Sequence, residues 1–171
     1  MSRKTLFALP VLLVVVVFSS PVDLKAQDQD PCNGELSHQF DFWVGEWEVY
    51  SGDDVAGKSL IEPIMDGCAL QENWRGSQGS VGTSFNYYNP TAKKWQQKWV
   101  WQNGTILELE GEYQDGKMVL EGESLSQKGE TIHNRISWHD NDDGTVRQHW
   151  EYSKDGGATF ETAFDGLYKK K

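Results

Sequence analysis

One carboxylate in the sequence stands among residue types that could change its chemistry. The stretch LQENW alternates so that Leu70, Glu72 and Trp74 share the apolar face of a predicted strand. A carboxyl group buried beside indole rings has a raised pKa and can move protons as a general acid or base. If the protein is an enzyme, Glu72 is therefore the expected acid or base, with Gln97 and Trp99 beside it.

Tryptophans form the second chemically informative set. In the stretch KKWQQKWVWQNG, Trp95, Gln97, Trp99 and Trp101 all fall on one face of a strand. Indole rings bury much apolar area, but each N–H needs an acceptor. An aromatic lining that carries a few polar groups is typical of a small-molecule site.

The same alternation assigns an inner face to four further strands. We take the more apolar face as the inner one, which selects the even-numbered residues of 70–74, 132–138 and 146–152 and the odd-numbered residues of 81–87. The expected ligand is a small apolar or aromatic molecule. The residues predicted to bind it are Glu72, Trp74, Phe85, Gln97, Trp99, Trp101, Asn134, Trp138, Gln148 and Trp150.

Two alternatives to a binding cavity stay open. In the first, the aromatic residues fill a solid core in which Gln97 and Gln148 accept hydrogen bonds from indole N–H groups, and the domain is structural or binds a partner. In the second, the protein is an enzyme that acts through Glu72. No catalytic motif surrounds Glu72, so the catalytic residues stay unassigned and a binding function is favoured.

The remaining acidic residues do not predict a metal or a glycosidase site. Glu108, Glu110 and Glu112 alternate along one strand, which is typical of a solvated face rather than of a catalytic pair. The stretch HDNDDG at 139–144 lacks the closing glutamate of a calcium loop and fits a polar turn. No metal ligand set is predicted.

The elements that would position these residues are strands. Alternating runs separated by turn signals every 8 to 12 residues indicate an all-β domain. Short links predict antiparallel neighbours, and closure into an up-and-down barrel removes the two exposed edges. The apolar spacing of Leu36, Phe40 and Trp43 predicts a short helix or 3₁₀ turn that caps one end. The ten predicted strands are 46–51, 58–65, 68–75, 81–88, 93–102, 105–113, 117–124, 130–139, 145–153 and 159–168.

The residues Gly45-Glu46-Trp47, placed after this short helical segment, resemble the start of a lipocalin or other calycin barrel. In those families the tryptophan packs across the closed end. The strand number is closer to the ten-stranded fatty-acid-binding and nitrobindin-like barrels, and the whole chain resembles uncharacterised exported bacterial barrel proteins. Nitrobindin-like proteins bind haem through a histidine near the last strand. The stretch 162–168 has no histidine, so haem is disfavoured and no cofactor is predicted.

A second resemblance concerns a turn. The stretch SKDGGATF, from Ser153 to Phe160, resembles the Asp-box of sialidases. In that motif the aspartate accepts hydrogen bonds from the backbone of its own turn and lies away from the chemistry. We therefore expect a structural role for Asp155.

The first 26 residues have the pattern of a signal peptide. Arg3 and Lys4 precede an apolar run from Leu6 to Phe18, and Ala26 is a plausible cleavage position; a membrane anchor is the alternative. Residues 27–34 form a polar leader and residues 35–171 the barrel domain. Export to the periplasm or out of the cell predicts a disulfide between Cys32 and Cys68, which would stabilise the fold by about 3–4 kcal/mol.

The charge of the chain limits its partners. The formal net charge is −10, and the first 26 residues carry three of the basic residues against one acidic residue, so the rest is more acidic still. Such a chain has no electrostatic footprint for nucleic acid. Anionic headgroups would also repel it, so no stable membrane insertion is expected after signal cleavage. The oligomeric state is not predicted.

Overall fold

A computed structural model of the protein describes residues 32–171. The predicted signal peptide and most of the polar leader lie outside the described residues. Two 3₁₀ helices, Glu35–His38 and Asp41–Trp43, precede the strands, and a third, Met65–Gly67, joins β2 to β3. The strands are β1 Gly45–Ser51, β2 Asp54–Ile64, β3 Ala69–Gly76, β4 Val81–Asn89, β5 Lys94–Trp101, β6 Ile106–Gln114, β7 Lys117–Leu125, β8 Thr131–Asp140, β9 Val146–Ser153 and β10 Glu161–Lys170.

The ten strands form one closed antiparallel barrel in which each strand pairs with its neighbours in sequence. The barrel closes between β1 and β10, where Val49 lies opposite Tyr168 and Trp47 opposite Lys170. The predicted fold class and strand order are confirmed. The predicted β2 begins four residues too late, because the turn that precedes it needs only Gly52 and Asp53.

The short links between strands form because their residues adopt the backbone angles that tight turns need. Between β5 and β6, Gly104 adopts a φ of +82°, in the left-handed region that glycine occupies at little cost. The side-chain oxygen of Asn103 accepts a hydrogen bond from the backbone N–H of Thr105 at 2.9 Å. This turn fixes the register that places Trp99 opposite Leu107.

One end of the barrel is filled by a cluster of aromatic side chains, which we call the closed-end plug. It consists of Phe40, Trp43, Trp47, Trp138 and Tyr168, all at most 1% exposed. Phe40 stacks on Trp43 with ring centroids 4.9 Å apart, and the Trp47 N–H donates to the carbonyl of Trp43 at 2.8 Å. The Gly45-x-Trp47 start therefore closes this end, as the resemblance implied.

The predicted disulfide between Cys32 and Cys68 is confirmed, with the two Cα atoms 4.6 Å apart. Cys68 lies immediately before β3, so the bond ties the chain ahead of the first 3₁₀ helix to the β2–β3 connection. This connection lies at the closed end, and the bond therefore anchors the segment that carries the closed-end plug.

Within residues 32–171, no helix is long and apolar enough to cross a membrane.

The acidic rows lie on the outer surface, as expected. Glu108 and Glu110 are exposed and form cross-strand ion pairs with Lys98 at 2.6 Å and Lys94 at 2.7 Å. The alternate residues Leu107 and Leu109 are buried inside. Exposed pairs of this kind contribute little stability, so the row serves mainly solubility.

The Asp-box stretch forms the β9–β10 hairpin turn. Asp155 accepts hydrogen bonds from the backbone N–H of Thr159 at 2.9 Å and from the hydroxyls of Ser153 and Thr159 at 2.7 and 2.6 Å. These bonds hold the pKa of Asp155 far below its usual value. Phe160 packs under the guanidinium of Arg135, 3.9 Å from the ring centroid. The Asp155 carboxylate thus has a structural role, because it accepts hydrogen bonds from the residues of its own turn.

Candidate functional site

The end of the barrel opposite the closed-end plug holds a cavity of about 800 Å³. Small-molecule sites in proteins occupy roughly 300–1,000 Å³. Its mouth lies between the β1–β2 turn, the β3–β4 turn and the end of β5. Its walls carry the side chains of Trp74, Trp99, Trp101, Leu107, Ile136, Trp150 and Phe164, with Glu72, Gln97, Gln148 and Tyr168 as polar groups.

Three of the wall rings lie close against glycines, where a side chain would otherwise stand. A Cβ added at Gly82 would lie 2.2 Å from the ring of Trp99, and one added at Gly57 would lie 2.8 Å from that of Trp74. A Cβ at Gly166 would lie 2.5 Å from the ring of Phe164. A side chain at any of these positions would push the ring inward, so the glycines hold the aromatic lining against the wall.

We expect Gly82→Ala to shrink the cavity. The added methyl cannot coexist with the Trp99 ring, so the ring must turn into the lumen, at a cost of roughly 1–3 kcal/mol in unfolding free energy. Titration with the neutral apolar dye N-phenyl-1-naphthylamine should show an affinity at least about fivefold weaker than that of the unaltered protein. Gly34→Ala is the control, because its Cβ would meet nothing within 4 Å. Equal dye affinity in both variants would contradict the close contact between the Trp99 ring and Gly82.

Glu72 is the one buried carboxylate in the wall, at 3% exposure. The hydroxyl of Ser59 donates to one of its oxygens at 2.8 Å and that of Ser84 donates to the other at 3.2 Å. Asn86 donates to the Ser84 oxygen at 2.9 Å, and Gln97 donates to the Asn86 side-chain oxygen at 2.7 Å. Strands β2, β3, β4 and β5 thus contribute one continuous polar chain that ends on the carboxylate.

Burial dominates the acid–base chemistry of this carboxylate. Loss of water raises the pKa of Glu72 to about 7, while the hydrogen bonds from Ser59 and Ser84 oppose the rise. Glu72 therefore changes charge near neutral pH. The arrangement can accept or release a proton and can also face a cation, because both oxygens retain unused acceptor capacity.

Hydrogen bonds also fix the polar groups on the opposite wall. Tyr168 donates its hydroxyl proton to the side-chain oxygen of Gln148, and burial raises the Tyr168 pKa well above its usual value. The Trp150 N–H donates to the side-chain oxygen of Asn134 at 3.1 Å. The N–H of Trp99 differs, since it is buried and has no hydrogen-bond acceptor among the described residues.

The structure brings seven of the ten predicted site residues into the cavity wall: Glu72, Trp74, Gln97, Trp99, Trp101, Gln148 and Trp150. Asn134 points inward but holds the Trp150 indole rather than lining the space. Trp138 also points inward, yet it is fully buried in the closed-end plug, against Phe40 and Trp43.

The prediction for the fourth strand is wrong. Phe85 is 40% exposed and lies on the outside, where it borders a groove beside Cys68, whereas Ser84 and Asn86 are fully buried inside. The physical reason is local: a small residue at position 82 must make room for the Trp99 ring, and Ser84 must reach Glu72. The less apolar face of β4 is therefore the inner one.

Sequence reasoning missed five residues that shape the site: Ser59, Ser84, Asn86, Phe164 and Tyr168. The alternation of Phe164, Gly166 and Tyr168 along β10 could have revealed two of them. The pairing of β10 with β9 shifts register between Thr162 and Phe164, and no local sequence signal marks this irregularity. The serines and Asn86 give no periodic signal, because polar residues normally mark an outer face.

Three histidines lie on the two strands β8 and β9: His133, His139 and His149. None of them is fully buried and none lines the cavity.

No protein-family model and no curated protein sequence matches the chain. The likeness to calycin barrels therefore consists of the closed ten-stranded barrel, the 3₁₀ entry and the Trp47 that packs across the closed end.

Proposed function

We propose that the protein is an exported binding protein that holds a small apolar or aromatic molecule in its tryptophan-lined cavity. The observation that carries this proposal is the separation of the aromatic residues into two groups. Trp43, Trp47 and Trp138 are fully buried against one another at the closed end, whereas Trp74, Trp99, Trp101 and Trp150 surround open space. A core built only for stability would fill both ends, because voids lower stability.

Export is part of the proposal. It is supported by the disulfide, which persists in oxidising compartments, and by the signal-peptide pattern of the first 26 residues.

The binding proposal is tested by native mass spectrometry of the protein purified from an oxidising compartment. A co-purifying mass that is lost on denaturation supports it. Trp99→Phe replaces an indole of the cavity wall with a smaller ring and so removes contact area with the bound molecule; this variant should retain at least about fivefold less of the bound mass. Trp43→Phe is the matched control, because it makes the same substitution at an indole that lies in the closed-end plug. Equal retention by both variants would count against the cavity as the binding site.

An enzyme on the same barrel is the second candidate. One observation favours it: Glu72 lies in the cavity wall with a pKa of about 7, the range in which general acid–base catalysts operate. Turnover of any cavity ligand that disappears in Glu72→Gln, with ligand affinity kept, would establish it. Turnover that is unchanged in Glu72→Gln would remove it.

A further inference from the structure

The charged groups of the cavity are all acidic. Among the residues that line it, those that titrate are Asp54, Glu72 and Tyr168, and none of the lining residues is a lysine, arginine or histidine. Asp54 lies at the mouth, and Glu72 lies deep in the wall. A ligand with a carboxylate would therefore find no partner for its charge and would be repelled by Glu72.

Within the described residues 32–171, Glu72 has no cationic partner. The groups that face it are Ser59 from β2, Ser84 from β4 and the distant hydroxyl of Tyr168 from β10, none of which carries positive charge. A buried carboxylate without a cation is costly unless a bound group compensates it. The hydroxyls of Ser59 and Ser84 use only part of the acceptor capacity of its two oxygens.

The aromatic walls suit a cation as well as an apolar body. The rings of Trp74, Trp99, Trp101 and Trp150 line the same space as Glu72, and Trp101 lies 5.4 Å from Trp99 and 5.9 Å from Trp150 between ring centroids. The face of an indole ring attracts an ammonium group, and this attraction is strongest where water is excluded.

We propose that the ligand of this cavity is an organic cation, an amine on an apolar or aromatic body, whose ammonium group lies against Glu72 among the tryptophan faces. This inference rests on the proposed binding function and specifies the chemistry of its ligand. The net charge of −10 also favours it, because an acidic protein raises the local concentration of cations. The proposal opposes the carboxylate ligand that a likeness to fatty-acid-binding barrels would imply.

The proposal carries a pH dependence. Glu72 is protonated below its pKa and ionised above it, whereas an alkyl ammonium stays charged to about pH 10. The affinity for an amine should therefore rise as the pH is raised through 7. Burial holds the pKa of the other buried acid of the lining, Tyr168, well above its usual value, so its hydroxyl stays neutral in this interval.

Three probes that share one indole ring test the proposal by isothermal titration calorimetry of the full chain: tryptamine, tryptophol and indolepropionate. At pH 8, tryptamine should bind at least about tenfold more tightly than tryptophol, and indolepropionate should bind most weakly. The advantage of tryptamine over tryptophol should narrow at pH 6. In Glu72→Gln this advantage should fall to about twofold or less, and continued binding of tryptophol to the variant shows that the cavity is intact.

Each outcome bears on a different claim. If tryptophol binds as tightly as tryptamine, or if Glu72→Gln leaves their ratio unchanged, the cation inference is overturned while the binding cavity stands. A preference for indolepropionate overturns the inference in the same way. If none of the three probes binds the unaltered protein, the proposed binding function is contradicted as well.

Discussion

Trp43→Ala is expected to lower the free energy of unfolding by about 4 kcal/mol, whereas Trp101→Ala should lower it by about 1–2 kcal/mol. Trp43 is fully buried in the closed-end plug, stacked on Phe40 and edge-on to Tyr168 with ring centroids 6.1 Å apart. Truncation there leaves a hole that rigid strands cannot close. Trp101 borders space that is already open, so its loss mainly exposes neighbouring rings.

Urea unfolding at fixed pH measures the unfolding free energy of the two alanine variants. Dye titration then measures how much each substitution weakens ligand binding in the cavity. Trp101→Ala should weaken the binding of N-phenyl-1-naphthylamine several-fold at little cost in stability, and Trp43→Phe should retain most of the stability lost in Trp43→Ala. Two alanine variants with equal losses of stability and unchanged dye binding would indicate that both ends of the barrel are packed alike. That result would favour the alternative in which the tryptophans fill a solid core and no binding cavity exists.

The contrast between the two ends could not be derived from the sequence. Alternation assigns a side chain to the inside or the outside of a barrel, and on β5 it does so correctly for Trp95, Gln97, Trp99 and Trp101. It does not say at which height along the barrel axis a residue lies. Height depends on the stagger between strands and on which end the entry segment enters, and both are properties of the closed barrel. Alternation therefore predicts that Trp138 lines the cavity, although it belongs to the closed-end plug.

The failure on β4 has a different origin. The rule that the more apolar face points inward assumes that the interior is uniformly apolar. Inside this barrel, Ser84 and Asn86 serve a carboxylate on β3, and the apolar side chains of Phe85 and Tyr87 lie outside beside the disulfide. Sequence rules fail at such a position because local preference is overridden to build a polar site. The polar inner face of β4 thus indicates that the interior is built around the Glu72 carboxylate.

Replacement of Glu72 by glutamine should remove a pH dependence of stability worth about 3 kcal/mol. The pKa of Glu72 is about 7 in the fold and has the ordinary value near 4.5 in the unfolded chain. Between these values the folded state keeps a proton that the unfolded state has released, so stability falls as the pH rises and levels off above 7. The glutamine variant lacks this loss. Its unfolding free energy, relative to that of the unaltered protein, should therefore rise between pH 4.5 and pH 8.

Urea unfolding of ligand-free protein across this interval measures the effect, and Glu110→Gln provides a control of opposite sign. Glu110 is exposed, and its hydrogen bond with Lys94 lowers its pKa, so its contribution is present above pH 4.5 and is lost only in more acidic solution. The Glu110 variant should therefore follow the unaltered protein from pH 4.5 to pH 8. If the stability of the Glu72 variant also follows that of the unaltered protein over this interval, burial does not raise the pKa of Glu72. A buried acid that lowers stability at neutral pH is, by contrast, a candidate functional group, as the proposed cation site requires.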